Sequence, residues 1–423
     1  MPILDDRSTL NKLSDNFFSL LLLQGVNYLV PLIVFPYLVR VLGVDGFGLY
    51  NFIFYVIWMG VVISDYGFDL SATKLISINR DDSKKIDEIF SAVMIIKSML
   101  ALLFLIFLTL LILIFEKFSN EWLLYYLAFG FVIGQALFPT WFFQGIERMR
   151  YITALNALSK LIFTLLIFVF IEGKEDLDLL FLFNSLGAVT AGSIALYIAL
   201  KRFGVNLKTV PFNTLKFYLH DGWYIFLSRL GVEMYTSLNI ILLGFFVNDT
   251  VLGYFSIVEK IIRAIGNILE PLTRAAYPYL SKVYKSDIGA FFKKNIQLSI
   301  IIAAIMIPLS YGVYFYGYLL LELISGEKPQ TLLLEINSIL VWILVIYLYG
   351  SQFTNALVIL SKTKLLNRII VSALIINIIT APIVLYFFGI VGFSWLYVFI
   401  GFFISFVKGY FVYFKFRKES LKR

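Results

Sequence analysis

The chain has 423 residues, 60% of them hydrophobic and only 15% charged, and a mean hydropathy of +0.89, a balance that excludes a soluble domain with a charged surface. Cysteine is absent and His220 is the sole histidine, which excludes disulfides, thiolate chemistry and a Cys/His zinc or haem site. A net charge of +8 would suit nucleic acid in a soluble protein; in so apolar a chain its distribution matters more, and no nucleic-acid partner is expected.

The opening segment, MPILDDRSTLNKLSDN, is polar and acidic where a cleavable signal would have a basic start and a short apolar core. The first apolar run is therefore expected to be retained. From there, runs of about 20 apolar residues, each long enough as a helix to cross a ~30 Å hydrocarbon core, recur between polar breaks. They lie near 16–39, 47–70, 89–115, 122–143, 151–171, 177–200, 222–247, 251–276, 295–321, 332–360, 367–388 and 390–414. The strictly alternating segments of a β-barrel are missing. The expectation is an all-α polytopic membrane protein with twelve transmembrane helices, and short breaks such as LGVDG (42–46) and VNDT (247–250) predict antiparallel hairpins.

Basic residues orient these spans, because the positive-inside bias is read from short loops near helix ends. With a cytoplasmic start, twenty-five Lys and Arg fall on the cytoplasmic side; Arg40, Lys117, Lys174 and Lys328 fall outside, and six lie within spans. Both termini are expected in the cytoplasm. The longest polar break, from Lys201 to Asp221, divides the chain into an N-terminal six-helix lobe, 1–210, and a C-terminal one, 211–423. A shift of 205 positions sets Gly48 of DGFGLYNF on Gly253 of TVLGYFSI and Asp65 on Glu270. Equal parity gives both halves the same orientation, as a parallel repeat requires. Two pseudo-symmetric bundles around a central cavity are expected.

Ionisable side chains inside spans are costly and mark functional candidates. The second span carries Asp65 and Asp69 on a face that runs back through Trp58, Tyr55 and Asn51, with Lys74 just beyond. The seventh carries Arg229, Glu233 and Thr236. On the eighth, Glu259, Arg263, Gly266, Glu270 and Arg274 form one stripe, with Lys260 beside it. Glu259 with Arg263, and Glu270 with Arg274, have the favourable acid-before-base order. Structural ion pairs are the competing reading of each pair. Lys97, Lys160 and Lys408 lie near the cytoplasmic ends of their spans and are expected to snorkel. Arg40 is read equally as an interfacial anchor or a cavity rim, and His220 as a solvated loop residue. Pro31, Pro36 and Pro271 predict bends in the first and eighth spans.

The segments QGVNYLVPLIVFPYLVRVLGVDGFGLY (24–50), DYGFDLSATK (65–74), PTWFFQGIERM (139–149) and EPLTRAAYPYLS (270–281) together resemble the polysaccharide-biosynthesis transporters known as O-antigen flippases. These belong to the multidrug/oligosaccharidyl-lipid/polysaccharide exporter superfamily. The resemblance implies a bacterial inner-membrane protein that moves undecaprenyl-pyrophosphate-linked oligosaccharide to the periplasmic leaflet by alternating access, with proton or sodium coupling. A polysaccharide polymerase and a chain-length regulator are implied as partners. Arg40 falls in FPYLVR, Asp65 and Asp69 flank YGF, Arg274 precedes AAYP and Arg263 holds a recurring basic position, whereas Glu259 and Lys260 depart from the pattern.

The candidate substrate-binding cations are thus Arg40, Lys74, Arg229, Lys260, Arg263 and Arg274. The candidate balancing or coupling carboxylates are Asp65, Asp69, Glu233, Glu259 and Glu270. No metal, cofactor or catalytic residue is expected, and with no GxxxxGK[ST] run neither is ATP hydrolysis. The alternatives are a multidrug or other polysaccharide exporter of the same superfamily and a membrane-embedded polysaccharide polymerase.

Overall fold

Within hydrocarbon every backbone N–H and C=O needs a partner inside the protein, and a helix supplies one locally. The computed structural model describes the backbone of residues 7–416 and the side chains of residues 33–414, apart from a few inside helices that include Thr236, Glu270, Pro271 and Arg274. The helices are α1 (Arg7–Asp65), α2 (Phe68–Ile78), α3 (Ser83–Ile114), α4 (Glu116–Ser119), α5 (Trp122–Leu137), α6 (Thr140–Gly145) and α7 (Met149–Phe170). They continue as α8 (Leu177–Tyr197), α9 (Phe212–Phe246), α10 (Asp249–Ser286), α11 (Ile288–Ser325), α12 (Thr331–Leu340), α13 (Ile343–Ile359) and α14 (Thr363–Tyr410). No strand occurs among the described residues, and the fold is all-α.

Among the described residues, eight stretches are long and apolar enough to cross a membrane. Ile33–Ile78 joins the end of the first predicted span to the second, and Thr363–Phe414 takes in the last two. The joins are Gly43 (φ 70) and Gly389 (φ 59), where the helices leave helical geometry. α1 therefore breaks in the LGVDG segment; Pro36 lies within the helix, and Pro271 is outside the described side chains. The VNDT break ends in a cap, the Asn248 side chain accepting from the Val251 amide at 2.9 Å.

The chain forms two compact units, Met1–Leu42 with Ile53–Leu230, and Gly43–Phe52 with Gly231–Arg423. In the first, α5 and α8 cross on small residues. A Cβ on Gly134 would enter Ala188, and one on Gly192 would enter the Gly134 carbonyl, so this close approach depends on the missing side chains. Phe90, Trp141, Phe142 and Phe143 are buried together as an aromatic core. α2 packs on α6 there, which brings DYGFDLSATK against PTWFFQGIERM. Thr73 Oγ1 lies 3.2 Å from both Trp141 O and Gln144 Oε1, and Arg80 Nε donates to Gly145 O at 2.7 Å. Arg80 also bonds Glu147 at 2.8 Å, which holds that exposed carboxyl below its usual range.

The polar break after Arg202 is fastened to α3. Asp87, buried, accepts from the Asn206 amide and pairs with Lys208, each at 2.8 Å, and the Lys208 amide donates to Ser91 Oγ at 2.9 Å. Tyr218 donates to Glu88 at 3.0 Å.

In the second unit the start of the second predicted span meets α10. A Cβ on Gly48 would enter the Asp249 carbonyl, and one on Gly253 would enter the Val44 carbonyl. Both partners are related by the same 205-position shift as the glycines themselves. Further along this unit, Leu280, Phe291, Ile302, Met306, Ala356 and Leu357 form a buried core shared by α10, α11 and α13.

Candidate functional site

Helix α1 ends at Asp65, and the next two residues, Tyr66 (φ 50) and Gly67 (φ 74), turn the chain into α2. The turn is held against α9 by aromatic packing. Tyr66 stacks on Phe226 with centroids 4.5 Å apart and planes 13° from parallel, and its hydroxyl donates to Leu219 O at 3.1 Å. Arg229, one helical turn beyond Phe226, is thereby aimed at the two carboxylates that flank YGF. Its Nη1 lies 3.1 Å from Asp65 Oδ2 and also pairs with Asp69.

From α3, Lys97 Nζ reaches the other oxygen of Asp65 at 3.1 Å and donates to Gln135 O at 3.2 Å. Two cations and two anions thus form one network in the first unit. Accessibility separates their roles, because the Lys97 side chain is 2% exposed and that of Arg229 is 34% exposed. Lys97 fixes Asp65 from the protein interior, and Arg229 is the partly exposed cation of the network.

Two sequence expectations are corrected here. Lys97 does not snorkel but is a buried member of the charge network, and Lys408 is likewise buried, donating to Thr354 Oγ1 at 3.0 Å. A carboxylate or hydroxyl within reach stabilises the ammonium where it stands, so the chain has no need to extend to the interface. Arg229, grouped in sequence with Glu233 one turn along its own helix, instead bonds the acids of α1 and α2.

In the second unit Glu259, buried, accepts from Arg263 Nε at 2.7 Å, forming the expected pair along α10. Lys260 lies over the rings of Phe47 at 4.7 Å and Tyr50 at 5.7 Å, a cation–π contact that ties α10 to the start of the second span. Glu233 is half-buried, Arg40 and Lys74 are exposed, and Glu270 and Arg274 lie outside the described side chains. Of the eleven sequence candidates, the structure brings Asp65, Asp69 and Arg229 into one cluster, and Glu259 with Arg263 into another. Lys97 is the member that sequence reasoning missed, because its partner Asp65 is 32 positions away and no local spacing marks it.

Residues 13–284, which include all of the first cluster and the Glu259–Arg263 pair, match the sequence signature described as polysaccharide biosynthesis protein. The chain belongs to this family. Within reach of the polysaccharide biosynthesis family is an Escherichia coli (strain K12) protein named “Putative O-antigen transporter”. It is 29% identical over 367 residues, which cover 82% of this chain and 88% of the relative. The fold is similar to that of the lipid II flippase MurJ in an inward closed conformation, with a TM-score of 0.69 and 11% identity over 95% of this chain and 88% of that one. An inward-facing multidrug resistance transporter of the MATE family superposes with a TM-score of 0.68 and 13% identity, covering 93% of this chain and 99% of that one. The all-α fold is therefore shared with these two transporters, and this member of the polysaccharide biosynthesis family is a multi-pass membrane protein.

Proposed function

We propose that the chain carries an undecaprenyl-pyrophosphate-linked oligosaccharide, an O-antigen repeat unit, from the cytoplasmic to the periplasmic leaflet of a bacterial inner membrane. Twelve spans with both termini in the cytoplasm, and alternating access between an N-terminal lobe, 1–210, and a C-terminal lobe, 211–423, complete the reading. Family membership and the transporter named among the relatives support it over a polymerase. The observation that carries the mechanism is Arg229, accessible and shared by Asp65 and Asp69.

The two carboxylates occupy the guanidinium until a pyrophosphate arrives. The anionic oxygens of the pyrophosphate then compete for Arg229, with the advantage of higher charge at a site whose apolar walls weaken screening. Arg40, Lys74, Lys260, Arg263 and Arg274 add positive potential along the route. Asp65, Asp69, Glu233, Glu259 and Glu270 keep the anion from being held too tightly. A proton or sodium ion at Asp69 would loosen its grip on Arg229 and so couple ion movement to cargo.

The test is complementation of a strain lacking its O-antigen transporter, with surface polysaccharide measured at matched protein level. Arg229→Ala is expected to abolish export and Arg229→Lys to retain part of it. Full export by Arg229→Ala would sink the mechanism, and in reconstituted vesicles a chemically altered product in place of relocated lipid-linked sugar would sink the transport reading itself.

A further inference from the structure

A crevice of about 430 Å3 opens in the second unit beside the π-helical turn Phe411–Phe416, a volume within the ~300–1,000 Å3 of small-molecule sites. Ile296, Ser299, Ile300 and Ala303 of α11 line it on one side, and Tyr349 of α13 with Tyr413 on the other. Its lips, Ile300 and Phe414, are 62% and 61% exposed. In a chain of this hydropathy such lips face lipid.

Hydroxyl groups are set into the otherwise apolar floor of the crevice. Ser299 Oγ lies 2.8 Å from the Tyr413 hydroxyl, which donates to Asn295 Oδ1 at 3.1 Å, and the Tyr349 hydroxyl donates to Ser299 O at 2.9 Å. Behind them Gln352, buried, donates to Asn295 O at 2.8 Å and to Ser299 Oγ at 2.9 Å. The Nδ2 of Asn295 is buried and has no hydrogen-bond partner. It lies behind the network, so the polar atoms a ligand in the crevice meets are those of Ser299, Tyr349 and Tyr413. An amphiphile with polar atoms beside its chain suits that floor better than bare hydrocarbon does.

The mouth adds charge. Positions 293, 296, 300 and 303 lie on one face of α11, so Lys293, which is exposed, stands one turn beyond Ile296 at the head of the crevice, with exposed Lys294 next to it. Cation, hydroxyl floor and apolar wall follow one another along that face in the order phosphate, glycerol and acyl chain follow one another in a phospholipid. Basic pockets between transmembrane helices bind anionic head groups in this way.

We propose that this crevice holds one glycerophospholipid of net negative charge. Its phosphate lies against Lys293, its glycerol region over Ser299, Tyr349 and Tyr413, and one acyl chain along Ile300 and Ala303. This inference does not depend on the transport reading, because it concerns a bilayer lipid rather than cargo.

Native mass spectrometry of the full chain in detergent, titrated with phosphatidylglycerol or phosphatidylcholine, tests it. The expected result is one bound phosphatidylglycerol at several-fold higher occupancy than phosphatidylcholine. Lys293→Gln should reduce the first to the level of the second, and Ala303→Trp, which fills the crevice, should remove both. Should the tryptophan variant fail to fold, Lys293→Gln decides, since that side chain is exposed. Equal occupancy of the two lipids in the unaltered protein, or unchanged preference in Lys293→Gln, would overturn the proposal. So would displacement of phosphatidylglycerol by an equal amount of a polyprenyl pyrophosphate, which would assign the crevice to cargo instead.

Discussion

Gly48 and Gly253 pack reciprocally, each lying where a side chain would strike a carbonyl of the other's segment: Asp249 for Gly48, Val44 for Gly253. Since 44 and 249 differ by the same 205 as 48 and 253, the contact has the form of an isologous interface within a single chain. A repeat inferred from one glycine and one carboxylate thus has a physical counterpart, two helix starts that cross about a local two-fold.

That reciprocity predicts matched effects. Gly48→Val and Gly253→Val should each destabilise the protein by about 1–3 kcal/mol through overpacking, seen as similar falls in melting temperature in detergent. Gly312→Ala, at a position with open space around it, should be neutral or stabilising by up to ~1 kcal/mol from helix propensity. Unchanged melting of both valine variants would remove the crossing from the account.

The pair Lys97 and Asp65 predicts a thermodynamic cycle. Lys97→Met leaves the network with one cation for two partly exposed anions, a loss below the ~3–5 kcal/mol of a fully buried pair. Adding Asp65→Asn removes the uncompensated charge, so the double variant should melt closer to the unaltered protein than Lys97→Met does. Additive losses would mean that the two side chains are not coupled. Export should stay low in the double variant, because Asp65 also orients Arg229.

How much of this was legible follows from the range over which each signal acts. Hydropathy is local, and the predicted spans fall on helical segments because helix formation in hydrocarbon is decided segment by segment, although 47–70, 122–143 and 332–360 are each interrupted by a turn. The Glu259–Arg263 pair is a four-residue spacing on one helix and could be read directly. The Asp65–Lys97–Arg229 network joins three distant segments, and nothing near Lys97 in sequence distinguishes it from a snorkelling lysine. The α5–α8 crossing did carry a signal, Gly130 and Gly134 in GFVIG, the small-xxx-small spacing of close helix pairs. The floor of the second unit's crevice carried none, because Asn295, Gln352 and Tyr413 meet only after three helices pack.

Asp87 predicts the fate of the polar break. Its carboxylate holds Asn206 and Lys208, and hydrogen bonds to a charged group contribute about 1.5–3 kcal/mol. Asp87→Ala should free residues 203–210 from α3 and raise the rate of tryptic cleavage at Lys208 several-fold, with much less change at exposed Lys285. Equal cleavage in the variant and the unaltered protein would show that the strap is held by Tyr218 and Ser91 without the carboxylate.

Asp69 and Arg229 give the sharpest separation between a structural ion pair and a substrate site. If the pair only neutralises buried charge, Asp69→Asn leaves Arg229 one acid short; the protein should lose stability and gain nothing. If Asp69 competes with a phosphate for the guanidinium, the same substitution removes a competitor, and binding of a polyprenyl pyrophosphate to the purified protein should tighten severalfold. Export should then fall even though binding improves, because tighter capture in the starting state slows release on the other side. Arg229→Lys with Asp69→Asn should bind less tightly than Asp69→Asn alone, since an ammonium cannot present the two parallel donors of a guanidinium. Measuring affinity and export on the same preparations distinguishes the two outcomes, and weaker binding in Asp69→Asn would make Arg229 a structural residue.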